Sequence, residues 1–179
     1  TADAQLVWEY ALDYVNRAEN RIVIFGESLG GAVALSLWSH NNANPPQPAA
    51  LLLNSTFSSL SENVRWHYPM FPFQSLLLDR WPSGDRIGSV NSPIVIFHGT
   101  ADKMIPIEQG RQLAEITTNS RFIEIPGGEH NDIPLQQHGR NLIGFEPRLL
   151  AVTHNLLQFI RNVAVVKTRA RCLAGSSGI

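Results

Sequence analysis

The stretch from Arg21 to Trp38, RIVIFG-ESLGG-AVALSLW, constrains the chain more than any other. Arg21 to Phe25 is a short β-branched apolar run, long enough for a buried strand and too short for a helix. Ala32 to Trp38 reads as a packed helix. Between them Ser28 stands in the pattern Gly26-x-Ser28-x-Gly30, with Gly31 next. A strand and a helix joined in this way predict a sharp turn that strains the serine backbone, so the residues two before and two after it must be small. Such a turn lifts the hydroxyl clear of the sheet and aims the following backbone N–H groups, beginning with Leu29, at the space above it. An oxyanion developing there would be stabilised by that N–H and by the helix N-terminus. The bland alternative is a glycine-rich turn that only connects a strand to a helix.

The rest of the chain supplies the setting. Asp3 to Arg17 carries apolar residues at roughly helical spacing (Leu6, Trp8, Tyr10, Leu12, Val15) and predicts an amphipathic helix closed by Asn20. Ala49 to Leu53, Pro93 to Phe97 and Arg121 to Ile125 are further buried strands. Pro106 starts a helix that runs to about Thr118, as proline suits the first turn. A last amphipathic helix is expected from Pro147 to about Val165. Short, continuously apolar strands alternating with helices predict an α/β fold, a mostly parallel sheet with helices on both faces. In such sheets sites lie beyond the carboxyl ends of the strands. Ser28, Asp102 and His130 all fall there, one after each of three strands.

From about residue 58 to 90 the pattern loosens. Trp66, Tyr68, Phe71 and Phe73 are interrupted by Pro69, Pro72 and Pro82. This reads as a small lid of short helices whose aromatic residues line an acyl pocket, or as a plain packed excursion over the core. Charge adds an exclusion: a formal net charge of −1 with no basic excess gives no footing for nucleic acid. No His-x-x-x-His or cysteine cluster points to a metal, and Cys172 alone cannot form an internal disulfide. No apolar run approaches the ~20 residues that cross a bilayer. None of this assigns a compartment.

Ser28, Asp102 and His130 together carry a definite chemistry. A serine hydroxyl needs an adjacent base, and the base must itself be oriented. His130 can take the serine proton and return it to the leaving group, while Asp102 can hold the imidazole tautomer and stabilise its cation. Singly, Asp102 could serve the start of the helix at Pro106 and His130 could be a solvated loop residue. Asp79, Asp85 and Asp132 are rival acids. The first two belong to the lid, and Asp132 is too close to His130 in sequence to orient it. His98 reads as securing the Asp102 loop. His40, His67, His138 and His154 have no motif around them.

With these residues in view the chain resembles the α/β-hydrolase superfamily. Within it, the match is to the bud-emergence-suppressor-like branch, which includes α/β-hydrolase-domain-containing protein thirteen. The resemblance rests on Gly26 to Ala34 (GESLGGAVA), Asn54-Ser55-Thr56-Phe57, Tyr68-Pro69, Phe71-Pro72, His98-Gly99-Thr100-Ala101-Asp102, Ile105-Pro106 and Gly127 to Asp132 (GGEHND). It implies that Ser28 is the nucleophile, Asp102 the acid and His130 the base. The substrates it implies are small acyl esters, thioesters, amides or lipid-like molecules, with no cofactor. The resemblance runs from about Thr1 to Ile160; the chain as a whole reads as a hydrolase domain over residues 1–166 with a lid at about 58–90, and the polar, small residues from Lys167 to Ile179 as a loose tail. The family's first four strands, and the loop supplying a second oxyanion N–H, are expected to precede Thr1. Full-length members are often anchored by an N-terminal membrane segment, and membrane association is expected only through that segment. The chain on its own is therefore expected to be poorly soluble and essentially inactive. Two function classes follow: a serine hydrolase of esters or thioesters, with a peptidase as a variant, and a catalytically silent binding or scaffold protein on the same fold.

Overall fold

Among the described residues the sheet is built from four parallel strands in the order β1-β2-β3-β4: β1 Val23–Glu27, β2 Ala50–Asn54, β3 Ile94–Gly99 and β4 Ser120–Ile125. The computed structural model of the chain describes residues 2–39, 45–70, 77 and 80–131. β2 and β3 occupy the middle, and every residue in both is buried. This is why they read as unbroken apolar runs: a strand covered on both faces has no polar side to show. β1 lies at one edge and is only half covered, with Phe25 41% exposed.

Among the described residues five helices accompany the strands: α1 Ala2–Tyr14, α2 Leu29–Leu35, α3 Leu60–His67, α4 Ser83–Ile87 and α5 Ile107–Ile116. One core joins Trp8 and Leu12 of α1, Leu35 of α2, Ile87 of α4 and Leu113 of α5 to Leu51, Leu53, Ile94 and Ile96 of the central strands. Those four strand residues alternate in sequence, so they share one face of the sheet. Leu52, Val95 and Phe97, which alternate with them, are buried as well. The helix expected from Pro147, like the tail beyond residue 166, lies outside the described residues. All described residues belong to one of two compact units, the one spanning Thr1–Pro134.

Several boundaries shift for identifiable reasons. α1 ends at Tyr14 instead of Arg17 because Asn16 and Arg17 take left-handed backbone conformations, and Arg17 N–H bonds back to Leu12 O at 2.7 Å. A 3-10 turn over Glu19–Arg21 then takes up Arg21, the residue expected to open β1, which starts at Val23 and continues through Glu27. α1 buries Trp8 and Leu12 but leaves Leu6, Val7, Tyr10 and Tyr14 exposed. α2 starts at Leu29, three residues earlier than the apolar pattern indicates, and closes in a 3-10 turn over Ser36–Trp38.

In the proline-broken excursion, Ser59 caps α3 by accepting from Glu62 N–H. Ile87 and Val90, at its far end, stand in the main core. No helix among the described residues is long and apolar enough to cross a membrane.

Candidate active site

Ser28 sits at the turn between β1 and α2 with φ 53° and ψ −124°. This is a left-handed φ that side-chain-bearing residues avoid unless their surroundings impose it. Two contacts make the turn possible. A Cβ at Gly26 would lie 2.6 Å from Gly31 Cα, and a Cβ at Gly31 would lie 2.4 Å from Thr56 Oγ1. The start of α2 therefore passes directly over the end of β1, with no room for a side chain at either position. The expectation that Gly30 must be small for the same reason is corrected. Nothing among the described residues lies within 4 Å of a Cβ built there. The crowding falls on Gly31, one residue further, because that residue faces inward onto Thr56.

Asp102 and His130 come from the loops after β3 and β4, and those loops are laced together. Thr100 N–H donates to Ile125 O at 3.0 Å, Ala101 N–H to Gly128 O at 2.9 Å, and Gly127 N–H to Thr100 Oγ1 at 2.8 Å. The approach is so close that a Cβ at Gly99 would sit 2.1 Å from Gly128 O. Lacing the loops brings His130 to Asp102. His130 Nδ1–H donates to Asp102 Oδ2 at 2.8 Å, and Ser28 Oγ lies 3.0 Å from His130 Nε2. With its hydrogen on Nδ1, the imidazole presents Nε2 as the acceptor for the serine proton.

The Asp102 carboxylate is buried and its oxygens are fully used. Oδ1 accepts from Met104 N–H at 2.8 Å and Ile105 N–H at 2.9 Å. Oδ2 takes His130 and lies 3.4 Å from His98 Nε2. His98 is fully buried, and its Nε2–H donates to Ile105 O at 2.9 Å. It thus secures the acid loop, the role its position in the sequence indicates. Burial would by itself raise the Asp102 pKa. The hydrogen bonds from His98, from Ile105 N–H and from His130, with the charge His130 can carry, outweigh it and lower the value to about 2.

A pH dependence follows. The folded value lies below that of the unfolded chain, so the native state binds fewer protons between the two. The stabilisation is complete above pH 3.8 and is lost as pH falls towards about 2. It amounts to about 2 kcal/mol. Urea titrations at several pH values should show this loss in the parent protein and not in Asp102→Asn.

The remaining candidates stand apart from the three. Trp66 and Tyr68 are 55% and 54% exposed. They are absent from the wall of the ~280 Å³ cavity beside His130, which is formed by Ala101, Lys103, Met104, Glu129, His130 and Asn131. The helix that bears Trp66 is nevertheless tied to that wall, because His67 Nε2–H donates to Met104 O at 2.8 Å. Phe71 and Phe73 lie outside the described residues, as does Asp132. Leu29 opens α2, where the first N–H groups of a helix have no intrahelical partner. Among the described residues no group of three or more His, Cys, Asp or Glu is placed to hold a metal ion.

Comparison with known proteins agrees with this architecture. Residues 3–140 match the family described as "Serine hydrolase (FSH1)". An uncharacterized protein of Mycobacterium tuberculosis is 39% identical over 153 residues, covering 85% of this chain and 52% of the relative. Protein bem46 of Schizosaccharomyces pombe is 28% identical over 138 residues, covering 73% of this chain and 44% of its own length. The chain thus spans about half the length of the relatives it matches. Among solved structures, a puromycin hydrolase aligns with a TM-score of 0.56 at 18% identity, over 83% of this chain and 24% of its own. A meta-cleavage product hydrolase from Pseudomonas fluorescens aligns with a TM-score of 0.53 at 16% identity, over 82% of this chain and 68% of its own. These two show the fold, and the sequence matches show the lineage. The chain belongs to the serine hydrolase (FSH1) family, has the α/β-hydrolase fold, and counts bem46 among the proteins it resembles.

Proposed function

We propose that this chain carries the nucleophile, base and acid of a hydrolase that cleaves carboxylic esters or thioesters through an acyl-Ser28 intermediate. The observation that carries the reading is the hydrogen-bonded run from Ser28 Oγ through His130 to a buried Asp102. Ser28 Oγ attacks the acyl carbon as His130 Nε2 takes its proton. The Leu29 N–H stabilises the oxyanion, and the protonated His130 gives its proton to the departing alcohol or thiol. Water then repeats the sequence in reverse, with His130 again as base, and releases the acid. Asp102, held ionised by its four partners, keeps the hydrogen on Nδ1 and stabilises the imidazolium. No step needs a cofactor or a metal.

The acyl chain is proposed to lie against the excursion that bears Trp66, Tyr68, Phe71 and Phe73. Support comes from the exposed apolar surface of Trp66, Tyr68 and Met104, and from the His67 bond that ties this segment to the cavity beside His130. The test, made on the full-length natural protein, is a panel of esters, thioesters and amides sharing one acyl group, then esters of rising chain length, with quenched reactions examined by mass spectrometry. An acyl increment on the peptide containing Ser28 is expected, with esters and thioesters turned over faster than amides. Trp66→Ser should raise KM more for long acyl chains than for acetate, by up to about 1 kcal/mol per lost methylene contact. Acylation of another residue, or no turnover of any acyl substrate, would refute the reading.

A further inference from the structure

Ser28 is not the only side-chain-bearing residue with a left-handed backbone at this end of the sheet. Ser55, just past β2, has φ 46° and is fully buried. The two strained turns end adjacent strands and are joined to each other. Ser28 N–H donates to Asn54 O at 2.9 Å, and Ser55 N–H donates to Phe97 O of β3 at 2.9 Å. Between them stands Thr56, fully buried and flush against Gly31, whose Oγ1–H donates to Ser28 O at 2.7 Å.

The acceptor of that bond matters. The Ser28 carbonyl and the Leu29 N–H are the two ends of one trans peptide unit, which is planar, so fixing the direction of one fixes the other. A hydrogen bond accepted by the carbonyl also draws charge across the unit and makes its N–H a stronger donor. Gly31 N–H reaches the same carbonyl at 3.0 Å from within α2. The threonine bond differs in coming from the segment that follows β2, so it refers the peptide to the sheet end and not to the helix it begins.

We propose that Thr56 is a positioning residue for the oxyanion site: its buried hydroxyl orients and polarises the Ser28–Leu29 peptide, whose N–H faces the developing negative charge. This rests on the reading of Ser28 as nucleophile and Leu29 N–H as oxyanion donor. The role is confined to the transition state, because a ground-state carbonyl draws little on that N–H. Losing the hydroxyl should therefore lower kcat and leave KM in place.

Two pairs of side chains isolate the hydroxyl in the natural protein. Thr56→Val keeps the shape and removes the oxygen. Thr56→Ser and Thr56→Ala differ from each other by that oxygen alone, and they decide the matter if the valine variant does not fold. In each pair the member without the hydroxyl should have kcat lower by roughly tenfold, with KM changed by less than about twofold. Inhibition by a trifluoromethyl ketone, which forms a tetrahedral oxyanion on serine, should weaken by about the same factor. Thr56→Ser should recover most of both. Equal kcat within each pair, or losses in kcat and KM that follow melting temperature irrespective of the hydroxyl, would overturn the proposal. Ser28→Ala serves as the control: if it retained turnover, the nucleophile assignment would fall, whereas its silence beside a fully active Thr56→Val would sink the threonine inference alone.

Discussion

Ser28→Ala is expected to remove ester turnover by on the order of 10⁶-fold while leaving the domain folded. The size of the loss follows from where the hydroxyl sits. Its oxygen is 3.0 Å from His130 Nε2, at the strained turn between β1 and α2. Water in its place would have to be bound, oriented and deprotonated without the strand-to-helix geometry. Folding should survive because the turn is held by groups that alanine keeps. Ser28 N–H still reaches Asn54 O, Ser28 O still accepts from Thr56, and Gly26 still admits the start of α2. Alanine brings the same Cβ into the same left-handed backbone, so the change in stability should stay below about 1 kcal/mol. A thermal melt and labelling by a fluorophosphonate probe check both halves, since the probe requires an activated serine. Undiminished labelling in the alanine variant would mean that the nucleophile lies elsewhere.

How much of this site is visible in the sequence depends on the range of each interaction. The elbow is local: a buried apolar strand, a glycine pattern and a helix lie within about one supersecondary unit, and the structure keeps that order. Ser28, Asp102 and His130 are far apart in sequence, but each follows a strand of one parallel sheet, and a parallel sheet collects such positions at one edge. What escapes is set by packing between segments. Gly31, not Gly30, meets Thr56 because Gly31 is the one that faces the segment after β2, and no spacing rule encodes which of the two does so. Thr56 looks like one more polar residue after a strand until its hydroxyl is seen on the Ser28 carbonyl, 28 positions away in the chain. The aromatic residues of the excursion show the converse: their composition suits an apolar pocket, yet Trp66 and Tyr68 are more than half exposed in the described structure. Composition tells what a segment can line, and only packing tells what it does line.

Asp102→Asn is expected to lower kcat/KM by about 10⁴-fold, although the substitution exchanges one atom and leaves the volume nearly unchanged. The reason lies in which atoms surround the carboxylate. Oδ1 receives two backbone N–H groups, from Met104 and Ile105, and only an oxygen can accept them. An asparagine must therefore place its oxygen there and turn its NH₂ towards His130 and His98. That NH₂ can donate to His130 Nδ1 only if the imidazole carries its hydrogen on Nε2. Nε2 then faces Ser28 Oγ as a donor, and the base is lost. The same NH₂ also meets the Nε2–H of His98, 3.4 Å from Oδ2 in the parent, so two donors oppose each other in a buried site. The opposite amide orientation is worse, because it sets the NH₂ against two backbone N–H groups with no water to relieve them. The variant should accordingly be less stable than the parent at neutral pH. Its deficit should narrow as pH falls from 3.8 towards about 2, where protonation removes the carboxylate advantage from the parent. Steady-state kinetics and urea titrations between about pH 7 and pH 2 read both effects. Near-parental turnover in a folded Asp102→Asn would show that His130 takes its tautomer from some other partner, and a stability deficit constant with pH would show that the charge at Asp102 contributes nothing to the fold.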